Sequence, residues 1–430
     1  LLTIMVSRLA LEQLLHAMSI YKVSQSLLLV FLPGVVSLLK SNRDLQMKIM
    51  YVINSLYAGG AERHLVELTR YMVSSGHSVT IVALTKKTLG GAIDMKDDFV
   101  SLGAEVMFLD VGVGDWLGEF GRWINLYKAV KRCQPQIIHT HLVRADLSVS
   151  IIKRLLPDFV WICTAHDAYI KKVYSGYWIF YLLAWQWRLA DHIIAVSGHA
   201  RKWVSKTVRQ PENKSSIIYH GVDATMEGSR APREIGWNNE ILIGCLARYE
   251  PRKGIATLIK AMVIVRQKFP RARLVIAGSN PYGYSGELRE LAKKLHIEHA
   301  VDIGEFCDTP HAFMRKIDIF AFASSSEGFG IVLLEAMAAE LPIVASDIYP
   351  LNYIVKQNET GLLASPDDDV GFAVAILELI SNSKLAAQMG QAGRKRCSEY
   401  FSKKKMLTLT DNLYHDLINY AATGYSSKVK

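Results

Sequence analysis

Cysteine is scarce in this chain. Five residues, Cys133, Cys163, Cys245, Cys307 and Cys397, are scattered over 430 positions, and no two stand at metal-ligand spacing. That excludes a disulfide framework or a zinc ribbon and suits a reducing compartment. A long apolar run is lacking too: Ser26–Leu39 falls short of the roughly 20 residues a spanning helix needs, and Pro33 interrupts it. No G-x-G-x-x-G dinucleotide fingerprint is present, because in Gly112-Val-Gly114-Asp-Trp-Leu-Gly118 the last glycine comes one position late. Nor does a D-x-D metal-diphosphate motif stand out, since Asp367-Asp368-Asp369 follows Pro366 and reads as a helix cap. Only 21% of residues are charged against 50% hydrophobic, which excludes disorder and calls for packed cores.

At 430 residues the chain is too long for a single core, and its charge is unevenly divided. Residues 1–222 hold 25 Lys and Arg against 16 Asp and Glu, an excess of nine, whereas residues 223–430 hold 25 against 24, an excess of one. No helix-turn-helix, zinc-finger or RNA-binding signature accompanies the basic surplus, so nucleic acid is not the expected partner. An anionic membrane leaflet or a phosphate-bearing acceptor is, with a generic basic surface as the plain alternative. The stretch Tyr174–Ala190 is rich in Trp and Tyr beside Lys171, Lys172 and Arg188, a composition that fits either a membrane interface or a buried helix.

Met47-Lys-Ile-Met-Tyr-Val-Ile53 opens a clean strand, so Met47 is the expected natural start. Residues 1–46 then read as an upstream extension or a short membrane-surface anchor. The unpaired cysteines argue against a signal peptide there. From Lys48 strands alternate with helices: Lys48–Ile53, Val79–Leu84, Glu105–Leu109, Ile137–His139, Phe159–Thr164, His192–Val196 and Ser215–Tyr219. Asp223–Glu240, with Gly228, Pro232 and Gly236, reads as a linker. A second series comes after it in Ile241–Ala247, Leu274–Ala277, Val301–Ile303, Ile317–Phe322 and Ile343–Ala345, with helices at Glu287–Leu295, Ile331–Ala339 and Val370–Ile380. This alternation predicts an α/β protein of two doubly wound, Rossmann-like domains facing a cleft. The expected bounds are 47–222 for the first, 241–403 for the second, and 404–430 for a C-terminal helix and tail that crosses back to the first.

The most informative motif is Ser324-Ser-Ser-Glu327-Gly-Phe329-Gly330-Ile-Val-Leu-Leu-Glu335, a strand end, a glycine turn and a new helix, with two glutamates eight positions apart. In an open parallel sheet this turn lies at the carboxyl edge, where ligands bind, and the helix start offers free N–H groups. A solvated turn glutamate and a helix-face glutamate are the bland alternative. Gly59-Gly60-Ala-Glu62-Arg63-His64 follows the first strand, where paired glycines let the backbone approach an anion closely; a simple tight turn would look the same. Arg248 and Lys253 stand five apart after the first strand of the second series and together suit a diphosphate, although basic loops are common. His139-Thr-His141 and Thr164-Ala-His166-Asp167 each end a strand, where a histidine can hydrogen-bond a sugar hydroxyl. No carboxylate or cysteine stands at ligand spacing, so no metal is expected.

Together these residues resemble retaining glycosyltransferase family 4, which has the GT-B fold, from about Met47 to Phe401. Glu327-x7-Glu335 is similar to the family's E-x7-E motif, Gly59-Gly60-Ala-Glu62 to its glycine loop, Arg248-x4-Lys253 to its diphosphate pair, and His220-Gly-Val-Asp223 to its hinge entry. The resemblance implies transfer of a sugar from a nucleoside-diphosphate donor, with retention and without metal or other cofactor. By matching position it implies that Glu335 binds the ribose, Glu327 the donor sugar, and Arg248 and Lys253 the diphosphate. It further implies that Phe329 and Gly330 offer backbone N–H groups, that Gly59 and Gly60 close over the donor, and that His166 contacts the sugar near the reacting carbon. With the basic first half and the aromatic stretch, a lipid-linked saccharide acceptor and a peripheral position on the cytoplasmic face of the membrane are expected. A soluble acceptor, a sugar-nucleotide epimerase and a non-catalytic binding subunit remain alternatives.

Overall fold

The computed structural model describes residues 46–57, 59–86, 94–110, 116–166, 185–208, 211–224, 240–280, 282–304 and 309–423. The expected extension before Gln46, most of the linker, and the aromatic stretch up to residue 184 with Lys171 and Lys172 lie outside them. The chain divides between Gln46 and Met47 into two units, and both sheets lie in the second.

Apolar runs build the first sheet. β1 (Lys48–Ile53) is buried on both faces: Met50 and Val52 enter one cluster, while Ile49, Tyr51 and Ile53 enter another. A strand covered on both sides is the signature of a parallel sheet between helix layers. With β2 (Ser78–Ala83), β3 (Glu105–Phe108), β4 (Ile137–His141), β5 (Val160–Ala165), β6 (His192–Ala195) and β7 (Ser215–Ile217) it forms a seven-stranded parallel sheet in the order β3-β2-β1-β4-β5-β6-β7. The second sheet comprises β8 (Ile241–Leu246), β9 (Ala272–Ala277), β10 (Val301–Ile303), β11 (Ile319–Phe322), β12 (Ile343–Ser346) and β13 (Leu362–Ala364), all parallel, in the order β10-β9-β8-β11-β12-β13.

The strands expected from the sequence are present, mostly with ends moved by one or two residues. β4 runs two residues further than expected, to His141, so both histidines of His139-Thr-His141 are buried within the sheet. β11 starts two residues later than expected, because Asp318 is held by Leu242, whose N–H donates to its carboxylate at 2.8 Å. β13 and the helix Ser383–Tyr400 were not anticipated. β13 is three residues long, too short for a period, and Ser383–Tyr400 is polar on much of its surface, opening on an Asn382 cap that accepts the Leu385 N–H at 3.0 Å. Asp368 does cap the helix Asp369–Ser381, accepting the Gly371 N–H at 2.9 Å.

The chain passes between the sheets twice, and the two passes are bonded to each other. The Val222 N–H donates to Phe401 O at 2.9 Å and the Lys403 N–H to Val222 O at 3.0 Å. The helix Lys403–Thr423 then packs on the first sheet: Met406, Leu407 and Tyr414 join the cluster of Ile49 and Tyr51, and Lys403 pairs with Glu67 at 3.1 Å. Tyr414 is fully buried, with its hydroxyl 2.5 Å from His139 Nδ1.

Candidate functional site

Strand order decides where the site lies. In each sheet the chain first winds outward from the central strand and then restarts on its other side, between β1 and β4 and between β8 and β11. Loops leaving the carboxyl ends of strands at such a switch diverge and leave a crevice. The expected residues fall on these loops: Gly59 and Gly60 after β1, His141 at the end of β4, His166 after β5, Arg248 and Lys253 after β8, and Glu327 after β11.

At the second switch the two loops are laced together. Ser325 donates its N–H to Arg252 O at 2.8 Å, and Arg252 Nη1 donates to Ser326 O at 3.0 Å. Gly254 has φ +65°, and a Cβ there would lie 2.0 Å from Ala323 O, so only glycine permits this approach. Lys253 and Glu327 are thereby brought into a 2.5 Å ion pair with side chains only 11% and 10% exposed. Arg248 is half exposed and turns to Glu250, 3.3 Å away. Gly330, at φ +96°, caps the Ile331–Ala338 helix without any side-chain capping bond, leaving its opening N–H groups to the crevice. Glu335 lies one turn into that helix; burial pushes its carboxyl up to about 7, opposed by Arg63. Phe329 is buried and meets the His220 ring edge-on at 5.2 Å.

At the first switch the helix Gly60–Ser74 begins directly after Gly59. A Cβ on Gly59 would lie 2.5 Å from Glu62 Oε2, so the Glu62 carboxylate folds back over the glycine loop. Burial raises the Glu62 carboxyl to about 7, against its own backbone N–H and Arg248. Charge also acts between the halves: Arg248 lowers the Glu62 carboxyl and Arg63 that of Glu335, each against the larger effect of burial. A Cβ on Gly60 would stand 3.7 Å from Ile331, which puts the glycine loop against the start of the Ile331–Ala338 helix. Behind it lie His64, His139, His141, His166 and His220. Burial keeps all five neutral, lowering His64 to about 3 and His166 to about 4.

Residues 58–225 match the model of Glycosyltransferase Family 4, and residues 229–396 match that of Glycosyl transferases group 1. Phosphatidyl-myo-inositol mannosyltransferase of Mycolicibacterium smegmatis is 28% identical over 348 residues, covering 80% of this chain and 86% of that protein. The structure of Anabaena HepE in complex with UDP and glucose is similar, with a TM-score of 0.75 at 20% identity over 86% of this chain and 99% of that one. Sucrose-phosphate synthase from Thermosynechococcus elongatus gives a TM-score of 0.71 at 20% identity, over 87% of this chain and 100% of that one. The chain is a glycosyltransferase of the family 4 type. Its two parallel sheets are those of the GT-B fold.

In this glycosyltransferase the sequence motifs located the loops but not all the side chains that matter on them. Glu62, Arg63 and His64 stood within the glycine-loop stretch without a role, and Glu250 was missed. Only proximity in space distinguishes them. Among the described residues one group has metal-ligand geometry, His77, Asp411 and His415, at the foot of the C-terminal helix and not on these loops. His77 Nδ1 accepts the Met47 N–H at 3.3 Å, which leaves Nε2 protonated and turned to Asp411, 3.6 Å away. A cation at Nε2 would force that proton onto Nδ1 and break the Met47 bond, so the trio reads as a pairing that pins the helix.

The raised carboxyls have a consequence for stability. The folded chain holds the Glu62 proton more tightly than the unfolded chain does, so this contribution is complete below about pH 4.5 and is lost as pH rises through about 7. The buried histidines act in the opposite sense below about pH 6.5, so the readout is a difference: the unfolding free energy of the wild type minus that of Glu62→Gln, measured by urea titration, should fall between about pH 5 and pH 8. An unchanged pH dependence in Glu62→Gln would contradict the buried placement of this carboxyl.

Proposed function

We propose that this family 4-type enzyme transfers a sugar from a nucleoside diphosphate to a lipid-linked saccharide at a membrane surface, with retention of anomeric configuration and without a metal. The observation that carries the reading is the buried Lys253–Glu327 pair beside Arg248 at the second switch point. Departure of the nucleoside diphosphate concentrates negative charge on its phosphates while the sugar becomes oxocarbenium-like. Fixed cations stabilise that charge where it develops, with no reorganisation at the moment of reaction. Arg248 supplies a planar fork and Lys253 a point charge, and the uncapped helix start at Gly330 adds N–H groups to the same anion. Glu335 would accept the ribose hydroxyls, Glu327 would hold the sugar, and Gly59 and Gly60 would close over the donor. His166, at the end of β5, would serve the sugar near the reacting carbon.

The acceptor side is supported by the first half's surface. The helix Trp116–Cys133 exposes Phe120 (55%) and Ile124 (40%), and along the same face Lys128, Lys131 and Arg132 are exposed. Apolar side chains followed by cations on one helix face suit the boundary between acyl chains and anionic headgroups. Among the described residues no single helix is long and apolar enough to cross a membrane, so attachment would be peripheral. The mannosyltransferase relative, by its name, acts on a phosphatidylinositol lipid.

The test is a panel of UDP-, GDP- and ADP-sugars assayed for transfer and hydrolysis. One nucleotide should support turnover that persists in excess EDTA, and Arg248→Ala or Lys253→Ala should lower it by roughly 10²–10³-fold. Wild-type turnover in both variants at saturating donor would remove the diphosphate assignment. For the acceptor, the full chain should bind anionic vesicles and be released by about 0.5 M salt, where screening shortens the Debye length to a few ångströms. Phe120→Ser with Ile124→Ser should weaken that binding and spare donor hydrolysis. Vesicle binding that survives this double change would discard the helix face as the docking element.

A further inference from the structure

β4 carries His141 at its carboxyl end, and β5 beside it leads directly into His166. His141 Nδ1 lies 3.0 Å from His166 Nε2, a hydrogen bond between two imidazoles. His141 is fully buried, and its Nε2 has no hydrogen-bond partner among the described residues. His166 keeps part of its surface exposed. We propose that His141 is a positioning residue that fixes the tautomer of His166, so that His166 meets the donor sugar as a hydrogen-bond donor from Nδ1 and not as a base. This rests on the proposed placement of His166 at the sugar.

The bond admits two arrangements. If His166 Nε2–H donates to His141 Nδ1, the proton of His141 must sit on its Nε2, a buried N–H with nothing to accept it. If His141 Nδ1–H donates to His166 Nε2, the unpaired atom of His141 is a bare ring nitrogen. Orphaned buried N–H groups are the rarer kind in folded proteins, whereas under-satisfied acceptors are less so. The second arrangement is therefore favoured, and it leaves the His166 proton on Nδ1, since the bond made by one ring nitrogen sets which nitrogen is protonated. Burial holds both rings neutral, which removes the doubly protonated alternative.

Two further features hold the rings in place. His166 stacks on His220 with an interplanar angle of 13° and centroids 5.4 Å apart, which fixes the plane of His166 and hence the direction of its Nδ1–H. Leu142, immediately after His141, has φ 74° and ψ 150°, a conformation ordinarily left to glycine. Such a conformation persists only where the surroundings impose it, which is typical of functional sites. The strand end is thus held in a strained turn that keeps His141 inside the sheet.

The test uses the full chain labelled with ¹⁵N-histidine, with the His166 signals identified by their loss in His166→Gln. The expected spectrum has His166 protonated at Nδ1 and bare at Nε2. In His141→Phe, which keeps a ring but no N–H, His166 should become a mixture of tautomers. With the nucleotide sugar that the panel selects, kcat should then fall about tenfold with little change in donor KM, the pattern of a lost transition-state contact. His141→Asn, whose amide can still donate, should retain most of the turnover. A His166 protonated at Nε2 in the wild type overturns the assignment, as does wild-type kcat in His141→Phe. If His141→Phe fails to fold, the wild-type spectrum and His141→Asn decide. If no nucleotide sugar is turned over, the transferase reading fails by itself, and the tautomer spectrum still decides the role of His141.

Discussion

Lys253 and Glu327 are both about nine-tenths removed from solvent, and neither would be tolerated there without the other. Taking each charge out of water costs several kcal/mol, and only close geometry returns it; removing one partner of such a pair typically costs about 3–5 kcal/mol. That geometry is imposed by the fold. Gly254 lets one loop press against Ala323, and the Arg252 carbonyl accepts hydrogen bonds from Ser324 and Ser325 of the other. The switch in strand order between β8 and β11 is what places the two loops side by side. A pair of this kind is weak evidence for stability and better evidence for a site held ready for an ion. On the proposed reading, an arriving diphosphate would take over the lysine while Glu327 turned to the sugar.

The two halves contribute opposite kinds of chemistry. The second half offers cations and an uncapped helix start; the first offers glycine backbone and a shelf of neutral histidines. Neutrality there matters, because an oxocarbenium-like sugar would be destabilised by imidazolium groups and is compatible with neutral ones. Charge also acts between the halves, with Arg248 lowering the Glu62 carboxyl and Arg63 that of Glu335. The resting site is balanced within itself, and a donor carrying two phosphates and a ribose presents the charge and hydroxyls that would replace those internal partners.

Much of this was legible in the sequence because it is local. Apolar runs bounded by turns marked β1, β8 and β11, and glycines after strands marked Gly59, Gly60 and Gly330 as places where the backbone must bend or approach. The E-x7-E and R-x4-K spacings placed Arg248, Lys253 and Glu327 on two loops and Glu335 on the helix that follows. Contacts between residues far apart in the chain were not legible. The bond from His141 to His166 spans 25 positions, that from Tyr414 to His139 spans 275, and no periodicity records either. Burial was hidden as well: nothing in the letters around Glu62 or Glu335 shows that their carboxyls lose water on folding. The elements overlooked were those with little apolar signal, the three-residue β13 and the polar helix Ser383–Tyr400.

The central claim is that the diphosphate of a sugar nucleotide sits between the loop after β8 and the start of the Ile331–Ala338 helix. A crystal structure of the full chain with the nucleotide sugar that supports turnover tests it most directly. Phosphate oxygens should then lie within hydrogen-bonding distance of Lys253 Nζ and the Arg248 guanidinium, roughly 2.7–3.2 Å, with the Lys253–Glu327 pair opened. A diphosphate bound elsewhere, with that pair still closed, would contradict the claim.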